Sequence, residues 1–379
     1  MGLMFDLLFS AMERNLTMKY YSKLLLFLLV VSLIVGLLTG CQSEKESTAP
    51  VESEELFVEN PFESGSNSTT EIVGALGHGP ENPVLRNDGT RAPYEYHGGQ
   101  FELGYHVKAS GTAKNVGFLM FLDGIPQPYQ IDGKGDIKYM HMFELEEDDQ
   151  QYPFTFVFTP VTGTVGDTLK LKIYSVFYPQ FQPDMVTTSS YGLYYNILEG
   201  TIELTFQATP NGANEGDAKA LSVLSTPTVR IDDMTSDFVN NYLDNDFTAG
   251  GQPATDRLSD SVFSFINYNG KTAVDNFDIS DQDTLHIVYQ MVGVPGAVYR
   301  ISLFGNNQPM TDGEALSWKV TLSKGKVAVL EADIDLSSLD DLTTFYVLAC
   351  PVDQGSASDS VSLLGSMSGP ILLYRGVSK

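Results

Sequence analysis

Apolar and polar residues alternate along many short stretches of this chain. In residues 101–107 every second position is apolar (Phe101, Leu103, Tyr105, Val107), and the same period recurs in 169–173, 202–206 and 318–322. Successive side chains of a strand point to opposite faces, so this period predicts antiparallel sheets with one buried and one solvated face. Turn residues separate the runs, and only residues 235–246 suggest a short helix. The sequence therefore predicts an all-β protein.

A weak internal repeat relates the two halves of the chain. Its four matches occur in the same order in both halves: Tyr105 with Tyr289, Gly124 with Gly305, Tyr174 with Tyr346, and Gly200 with Gly369. The numbering offset between partners falls from 184 (289 minus 105) to 169 (369 minus 200), as shorter loops in the second copy would produce. We therefore predict two copies of one fold, with domain 1 at residues 71–210 and domain 2 at residues 211–379.

The expected seven or eight short strands per copy resemble tandem immunoglobulin-like or fibronectin-III-like β-sandwiches in architecture. The resemblance does not extend to the cystine and core tryptophan of antibody domains, because Trp318 is the only tryptophan and the two cysteines lie far apart. A jelly roll is the alternative. The sandwich architecture by itself implies no particular function.

The first 41 residues carry the features of an export signal. Lys19 and Lys23 precede residues 24–38, an almost unbroken apolar run of 15 residues. The run is shorter than the about 20 residues of a spanning helix but typical of a signal peptide. The run ends in Leu38-Thr39-Gly40-Cys41, which resembles the lipobox of bacterial lipoproteins. This resemblance implies cleavage before Cys41 and a diacylglyceryl group on its sulfur. Residues 1–40 are then a signal peptide, whose natural start we place at Met18.

Gln42 replaces the Asp that keeps lipoproteins at the inner membrane of two-membrane bacteria. We therefore expect a lipid-anchored protein on the outer face of the cytoplasmic membrane of a single-membrane bacterium. Residues 42–75 contain eight Glu and one Lys, a composition that disfavours folding and extends the chain. We interpret residues 41–70 as a lipidated acidic tether.

Charge narrows the classes of partner. The formal net charge is −26, from 48 acidic and 22 basic residues, so the surface repels phosphate backbones and a nucleic-acid partner is not expected. The N-terminal lipid is expected to attach the protein to the membrane. An envelope or extracellular protein, or a glycan, is the further partner that the charge leaves open. No cofactor is predicted.

Catalytic and metal motifs are absent from the sequence. There is no G-x-S-x-G, no H-E-x-x-H and no cysteine pair at zinc spacing,. Cys350 lies in the apolar run 345–350, where a small buried strand residue is expected,. His78 is expected in a loop. The best calcium candidate is a cluster of three carboxylates without the EF-hand pattern, for which a solvated turn is the simpler interpretation: Asp237, Asp244 and Asp246.

Five aromatic residues surround a Pro- and Ser-bearing loop of the first copy. Exposed loop aromatics offer flat contact area to a sugar or a protein, whereas the alternative is that they cap the end of the sandwich. They are Tyr178, Phe181, Tyr191, Tyr194 and Tyr195.

These features favour a non-catalytic binding or adhesion module of the cell envelope. A structural or spacer subunit of an envelope complex is one alternative. A hydrolase with dispersed catalytic residues is the other, because a single sequence does not reveal such residues.

Overall fold

The computed structural model describes residues 74–211, 220–242, 261–272, 274–353 and 363–376. Ser68–Lys379 forms one compact unit. Within the described residues the regular structure is β-strand, apart from helix α1 (Ser236–Tyr242) and the 3₁₀ turn Leu336–Ser338. The predicted all-β fold is therefore confirmed, and α1 falls in the stretch where the sequence suggested a short helix. The signal peptide, Cys41 and the tether lie outside the described residues.

The first sandwich consists of two sheets whose strands are antiparallel except for the short β2. One sheet has the order β1-β3-β9-β6-β7 and the other β2-β11-β10-β4-β5, with β8 also on β4. Burial alternates along β3 as predicted, and the inward residues of both sheets form a core of their own. The strands are β1 (Gly74–Pro80), β2 (Tyr94–Tyr96), β3 (Phe101–Gly111), β4 (Asn115–Leu122), β5 (Ile125–Pro126), β6 (Tyr129–Ile131), β7 (Lys134–Lys138), β8 (Met140–Glu144), β9 (Gln151–Phe158), β10 (Thr168–Phe177) and β11 (Ile197–Phe206).

The second sandwich also has two sheets and a separate core. Their orders are β13-β20-β16-β14 and β12-β18-β17-β21-β23-β15, with β19 on β17 and β22 on β21. The strands are β12 (Leu221–Ser222), β13 (Thr228–Asp233), β14 (Phe263–Tyr268), β15 (Asn276–Asp278), β16 (Thr284–Val292), β17 (Val298–Gly305), β18 (Gln308–Thr311), β19 (Trp318–Thr321), β20 (Lys326–Asp335), β21 (Leu342–Asp353), β22 (Ser366–Met367) and β23 (Ile371–Tyr374).

Strand pairing follows one pattern in both sandwiches. β1 pairs with β3 as β14 pairs with β16, and β10 lies between β4 and β11 as β21 lies between β17 and β23. A short early strand joins the last strand in parallel in each half, β2 on β11 and β15 on β23. Tyr105 and Tyr289 therefore lie on equivalent strands, β3 and β16. The two halves share these pairings but differ at the far edge, where β6, which follows β5 in the chain, pairs with β9, and β13, which precedes β14, pairs with β20.

The observed strand pairing shows that one residue match of the predicted repeat, Gly124 with Gly305, is wrong. A two-residue turn joins β4 to β5 at Asp123-Gly124 and β17 to β18 at Asn306-Asn307. All four turn residues have positive φ, as a type I′ hairpin turn requires. Gly124 is therefore equivalent to Asn307, and Gly305 is the last residue of its strand. Asn adopts positive φ readily, so glycine is not needed at the same place in both turns.

A second match is also displaced by two residues. Tyr174 pairs with Leu119, whereas the residue at the corresponding place in β21 is Leu348, not Tyr346. The last match is in register, because Gly200 and Gly369 each precede by two residues an isoleucine that pairs with an equivalent position of the neighbouring strand. The repeat was thus right at the level of strands and wrong by two residues at two of its four positions.

None of the helices among the described residues is long and apolar enough to span a bilayer.

Candidate functional site

The two sandwiches contact each other through the outer faces of equivalent sheets. Phe121 of β4 and Phe304 of β17 hold equivalent places beside the two hairpin turns, and their rings meet edge to face at 6.0 Å. Phe304 also stacks on Tyr346, at 5.1 Å between centroids. We call this contact the seam. Its buried apolar residues are Leu119, Phe121, Met140, Tyr174, Val176, Tyr191, Tyr195, Phe304, Tyr346, Leu348, Cys350 and Leu372.

Strands with two apolar faces make the seam possible. Along β4, Phe118 and Met120 point into the core of the first sandwich, whereas Leu119 and Phe121 point into the seam. Residues 345–350 of β21 divide in the same way between the second core and the seam. The expectation that each sheet keeps a wet face is therefore wrong for these two sheets. Their outer faces are removed from water by packing against each other.

A buried ion pair lies on the same face of β10 and β11. The side chains of Lys172 and Glu199 are 7% and 13% exposed, and Lys172 Nζ contacts Glu199 Oε1. Thr201 Oγ1 donates to Oε1 at 3.0 Å, and the backbone N–H of Gly365 in the second sandwich donates to Oε2 at 2.9 Å. The alternation of β10 predicted a solvated Lys172. Its burial arises because the second sandwich covers this sheet.

Cys350 is buried beside this network, as the sequence predicted. Its side chain is 0% exposed, and Tyr174 Oη donates to its Sγ at 3.6 Å. Burial raises the pKa of the Cys350 thiol to about 12, although the positive charge of Lys172 opposes the shift. Only the thiolate is a good nucleophile. The protonated thiol therefore acts as an apolar packing group.

Two of the predicted ligand-binding aromatics belong to the seam. Tyr191 and Tyr195 are each 3% exposed. Tyr191 Oη lies 2.8 Å from Thr344 Oγ1 of the second sandwich, and the ring centroids of Tyr195 and Tyr346 are 5.7 Å apart. The expectation of an exposed contact surface is therefore wrong for these two tyrosines, because the second sandwich covers them.

The other three aromatics pack against one another at the edge of the seam with tilted rings. The ring of Tyr194 lies 4.0 Å from that of Phe181 and 4.9 Å from that of Tyr178, between centroids, and all three side chains are half-buried. The connecting loop is ordered by Asp184, whose carboxylate accepts hydrogen bonds from Thr187 and from the N–H groups of residues 186 and 188. These bonds, that of the Thr187 side chain first, lower the pKa of Asp184. A ligand-binding role for the three aromatics stays a prediction.

Only one of the three predicted metal ligands lies in the described residues, so the calcium site stays a prediction. Asp237 lies in the first turn of α1, and Asp244 and Asp246 lie outside the described residues. In the described parts of the chain no group of three His, Cys, Asp or Glu side chains is placed to hold an ion. His78, expected in a loop, is instead part of strand β1.

A cleft opens at the end of the seam where β10 begins. Its volume is about 330 Å³, and both sandwiches line it. Lys170 comes from β10, whereas Arg300 and Lys319 come from β17 and β19, where they are direct cross-strand partners. Sequence reasoning did not find this cleft, although it placed Lys170 on a polar face. The lining residues are Asp123, Thr168, Leu169, Lys170, Arg300, Lys319 and Val352.

Comparison with known proteins gives no family. No family model matches the chain, and no curated protein matches it. Among solved structures, the SafA pilin of Salmonella enterica in complex with the SafB chaperone shows 10% identity, covering 79% of this chain and 95% of that one, with a TM-score of 0.21.

Two further solved structures are similarly distant. A protein of unknown function from Porphyromonas gingivalis W83 shows 6% identity, covering 80% of this chain and 99% of that one, with a TM-score of 0.18. A marsupial T cell receptor shows 7% identity, covering 79% and 99%, with a TM-score of 0.18. At these values we draw no functional argument from any of the three.

Proposed function

We propose that this chain is a lipid-anchored binding module on the outer face of the bacterial cytoplasmic membrane. The anchor is Cys41, and residues 41–70 tether the sandwiches at a distance from the bilayer. The lipobox-like sequence ending at Cys41 supports the anchor, and the acidic composition of residues 42–75 supports the tether. Two acyl chains give durable membrane attachment, at about 0.8 kcal/mol for each buried CH₂ group.

The observation that carries the binding role is the cleft at the seam. Its lining residues come from both sandwiches, which the seam holds in contact over a buried apolar cluster. Ligand sites occur preferentially at the interfaces between domains, where side chains from two bodies converge. A site of this kind exists only while the two sandwiches stay together.

The anchor is tested by metabolic labelling with a fatty acid. We expect label on the wild-type chain and none on Cys41→Ala, together with a mature N-terminus at residue 41. Equal labelling of the two chains, or an uncleaved N-terminus, would contradict the anchor and leave the binding role untouched.

The binding role is tested with envelope preparations of the producing bacterium and the non-lipidated Cys41→Ala chain. Saturable binding is expected, and it should weaken when Leu348→Glu places a charge in the seam. A circular dichroism spectrum of the variant shows whether both sandwiches remain folded. Absence of saturable binding would contradict the proposal.

A spacer function is the second candidate, since the seam also gives the stiffness that a spacer needs. A spacer would depend on the seam for its length, not for ligand binding. It is favoured if the Cys41→Ala chain shows no saturable binding while deletion of the second sandwich disrupts an envelope complex.

A further inference from the structure

We propose that the cleft at the end of the seam binds a small solute bearing a doubly charged oxyanion, such as a phosphate group or a dicarboxylate. This inference rests on the proposed binding function and names the chemical class of its ligand. It does not depend on the lipid anchor.

The charge of the cleft is opposite to that of the chain. The chain has 48 acidic and 22 basic residues, whereas the cleft is lined by three basic side chains and one acidic side chain. Counted over the described lining residues, three positive charges and the one negative charge of Asp123 give +2. A ligand group carrying two negative charges matches this value.

The three cations of the cleft have no ion-pair partner in the part of the chain that the structure describes. Among the described residues none forms an ion pair with Lys170, Arg300 or Lys319, although ten other ion pairs of Lys, Arg and His are present there. Arg300 and Lys319 stand directly opposite each other on adjacent strands. Like charges in this position repel each other and destabilise the sheet. An anion between them would turn that repulsion into attraction.

Arg300 also has an unsatisfied donor. Its Nε atom is buried and has no hydrogen-bond partner in the structure. Buried polar groups are almost always paired, because an unpaired one has lost water without compensation. A guanidinium group binds phosphate and carboxylate oxygens through two parallel hydrogen bonds. A ligand oxyanion is therefore a suitable partner for this donor.

The first sandwich fixes the position of Arg300. A Cβ atom built on Gly124 would lie 2.9 Å from Arg300 Cβ and 3.0 Å from its Cδ, so the aliphatic stem packs closely on the turn between β4 and β5. Gly124 has a φ of +74° and no side chain, which permits this approach. The cation is thus held in place before any ligand arrives, and binding costs less conformational entropy.

The size of the cleft favours a small solute over a polymer. A volume of about 330 Å³ lies at the lower end of the range for small-molecule sites. A nucleic acid or another long polyanion would extend past the cleft onto the remaining surface, which carries the acidic excess of the chain. Electrostatic repulsion there opposes polymer binding.

Isothermal titration calorimetry on the full chain in detergent tests this inference. The probes are inorganic phosphate and malonate as doubly charged anions, and acetate as a singly charged anion, all at matched ionic strength. We expect phosphate or malonate to bind with a single site and acetate to bind at least about tenfold more weakly. Acetate binding as tight as that of both dianions would overturn the assignment.

Lys319→Gln is the decisive variant, because this exposed side chain is removable without disturbing a core. It should weaken dianion binding by at least about tenfold, since a charge-assisted hydrogen bond is lost. Lys134→Gln on β7, also exposed and outside the cleft, is the matched control and should bind as the wild type does. Equal affinity of Lys319→Gln and wild type, or no dianion binding by the wild type, refutes the proposal. If the wild type binds neither dianion but still binds envelope preparations saturably, only this ligand assignment has failed and the proposed binding function stands.

Discussion

Replacing Lys172 by Met should destabilise both sandwiches, although the substitution lies in only one of them. Glu199 would stay buried without the cation that balances it, since the two side chains are only 7% and 13% exposed. Breaking a buried ion pair by removing one partner costs about 3–5 kcal/mol. Glu199 would keep two hydrogen bonds, from Thr201 and from the N–H of Gly365. We therefore expect a loss near the lower end of that range, about 3 kcal/mol in the free energy of unfolding.

Urea unfolding with two readouts measures this effect. Trp318 is the only tryptophan of the chain and is 7% exposed in the core of the second sandwich, so its fluorescence reports on that sandwich. Far-UV circular dichroism reports on both sandwiches. Because Glu199 of the first sandwich is bonded to Gly365 of the second, Lys172→Met should lower the urea midpoint by both readouts.

Two further variants complete the design. Lys326→Met breaks an exposed pair with Asp233, whose side chains are 45% and 79% exposed, and should cost less than about 1 kcal/mol. The double variant Lys172→Met/Glu199→Leu removes both buried charges and should recover most of the lost stability, because apolar replacement of a whole pair is often neutral. If Lys172→Met costs no more than Lys326→Met, the pair is not effectively buried. A shift in circular dichroism without one in Trp318 fluorescence would refute the coupling through the seam.

Two predictions concern titratable groups elsewhere. Burial lowers the pKa of His78 from 6.5 to about 4. Between these two pH values the unfolded chain therefore binds a proton at His78 that the folded chain does not bind. His78 should therefore lower the free energy of unfolding by up to about 3 kcal/mol as the pH drops from about 6.5 to about 4. The fall should be clearly smaller in His78→Gln, where His141, whose pKa burial also lowers, still contributes, and it should be kept in the control His97→Gln, where the side chain is 68% exposed. Since burial raises the pKa of Cys350 to about 12, a thiol reagent should modify native Cys41→Ala chain only at the rate of unfolding, and prompt stoichiometric modification of the folded chain would contradict this.

Alternation in the sequence predicted the strands whose second face meets water. The alternation gave a wrong prediction where both faces of a sheet are buried. It predicted a solvated Lys172, because the residues that cover this side chain belong to the other half of the chain. A signal was nevertheless present. Residues 116–122 and 345–350 are almost continuously apolar, a pattern typical of strands buried on both faces. The second run predicts a buried strand but does not by itself tell which layer covers its outer face.

The cleft could not be found by scanning the sequence. Lys170 and Arg300 are brought together only by the packing of two sheets, and no local motif records that arrangement. The residue-by-residue alignment of the two halves could not be predicted from the sequence either, since a type I′ turn accepts Asn306-Asn307 as well as Asp123-Gly124. Matching glycine to glycine therefore displaced the repeat by two residues.

The seam also limits how copies of this chain can associate with one another. If a first sandwich met another first sandwich through the same faces, both copies would contribute the same patch of residues, as in any isologous dimer. Each sheet would then present Lys172 and Glu199 but no Gly365 to donate to the carboxylate. The place equivalent to Lys172 in the second sandwich is occupied by Tyr346. Because the two halves differ at these positions, each sandwich fits the other better than it fits a copy of itself. This favours the seam within one chain over association between chains through the same faces.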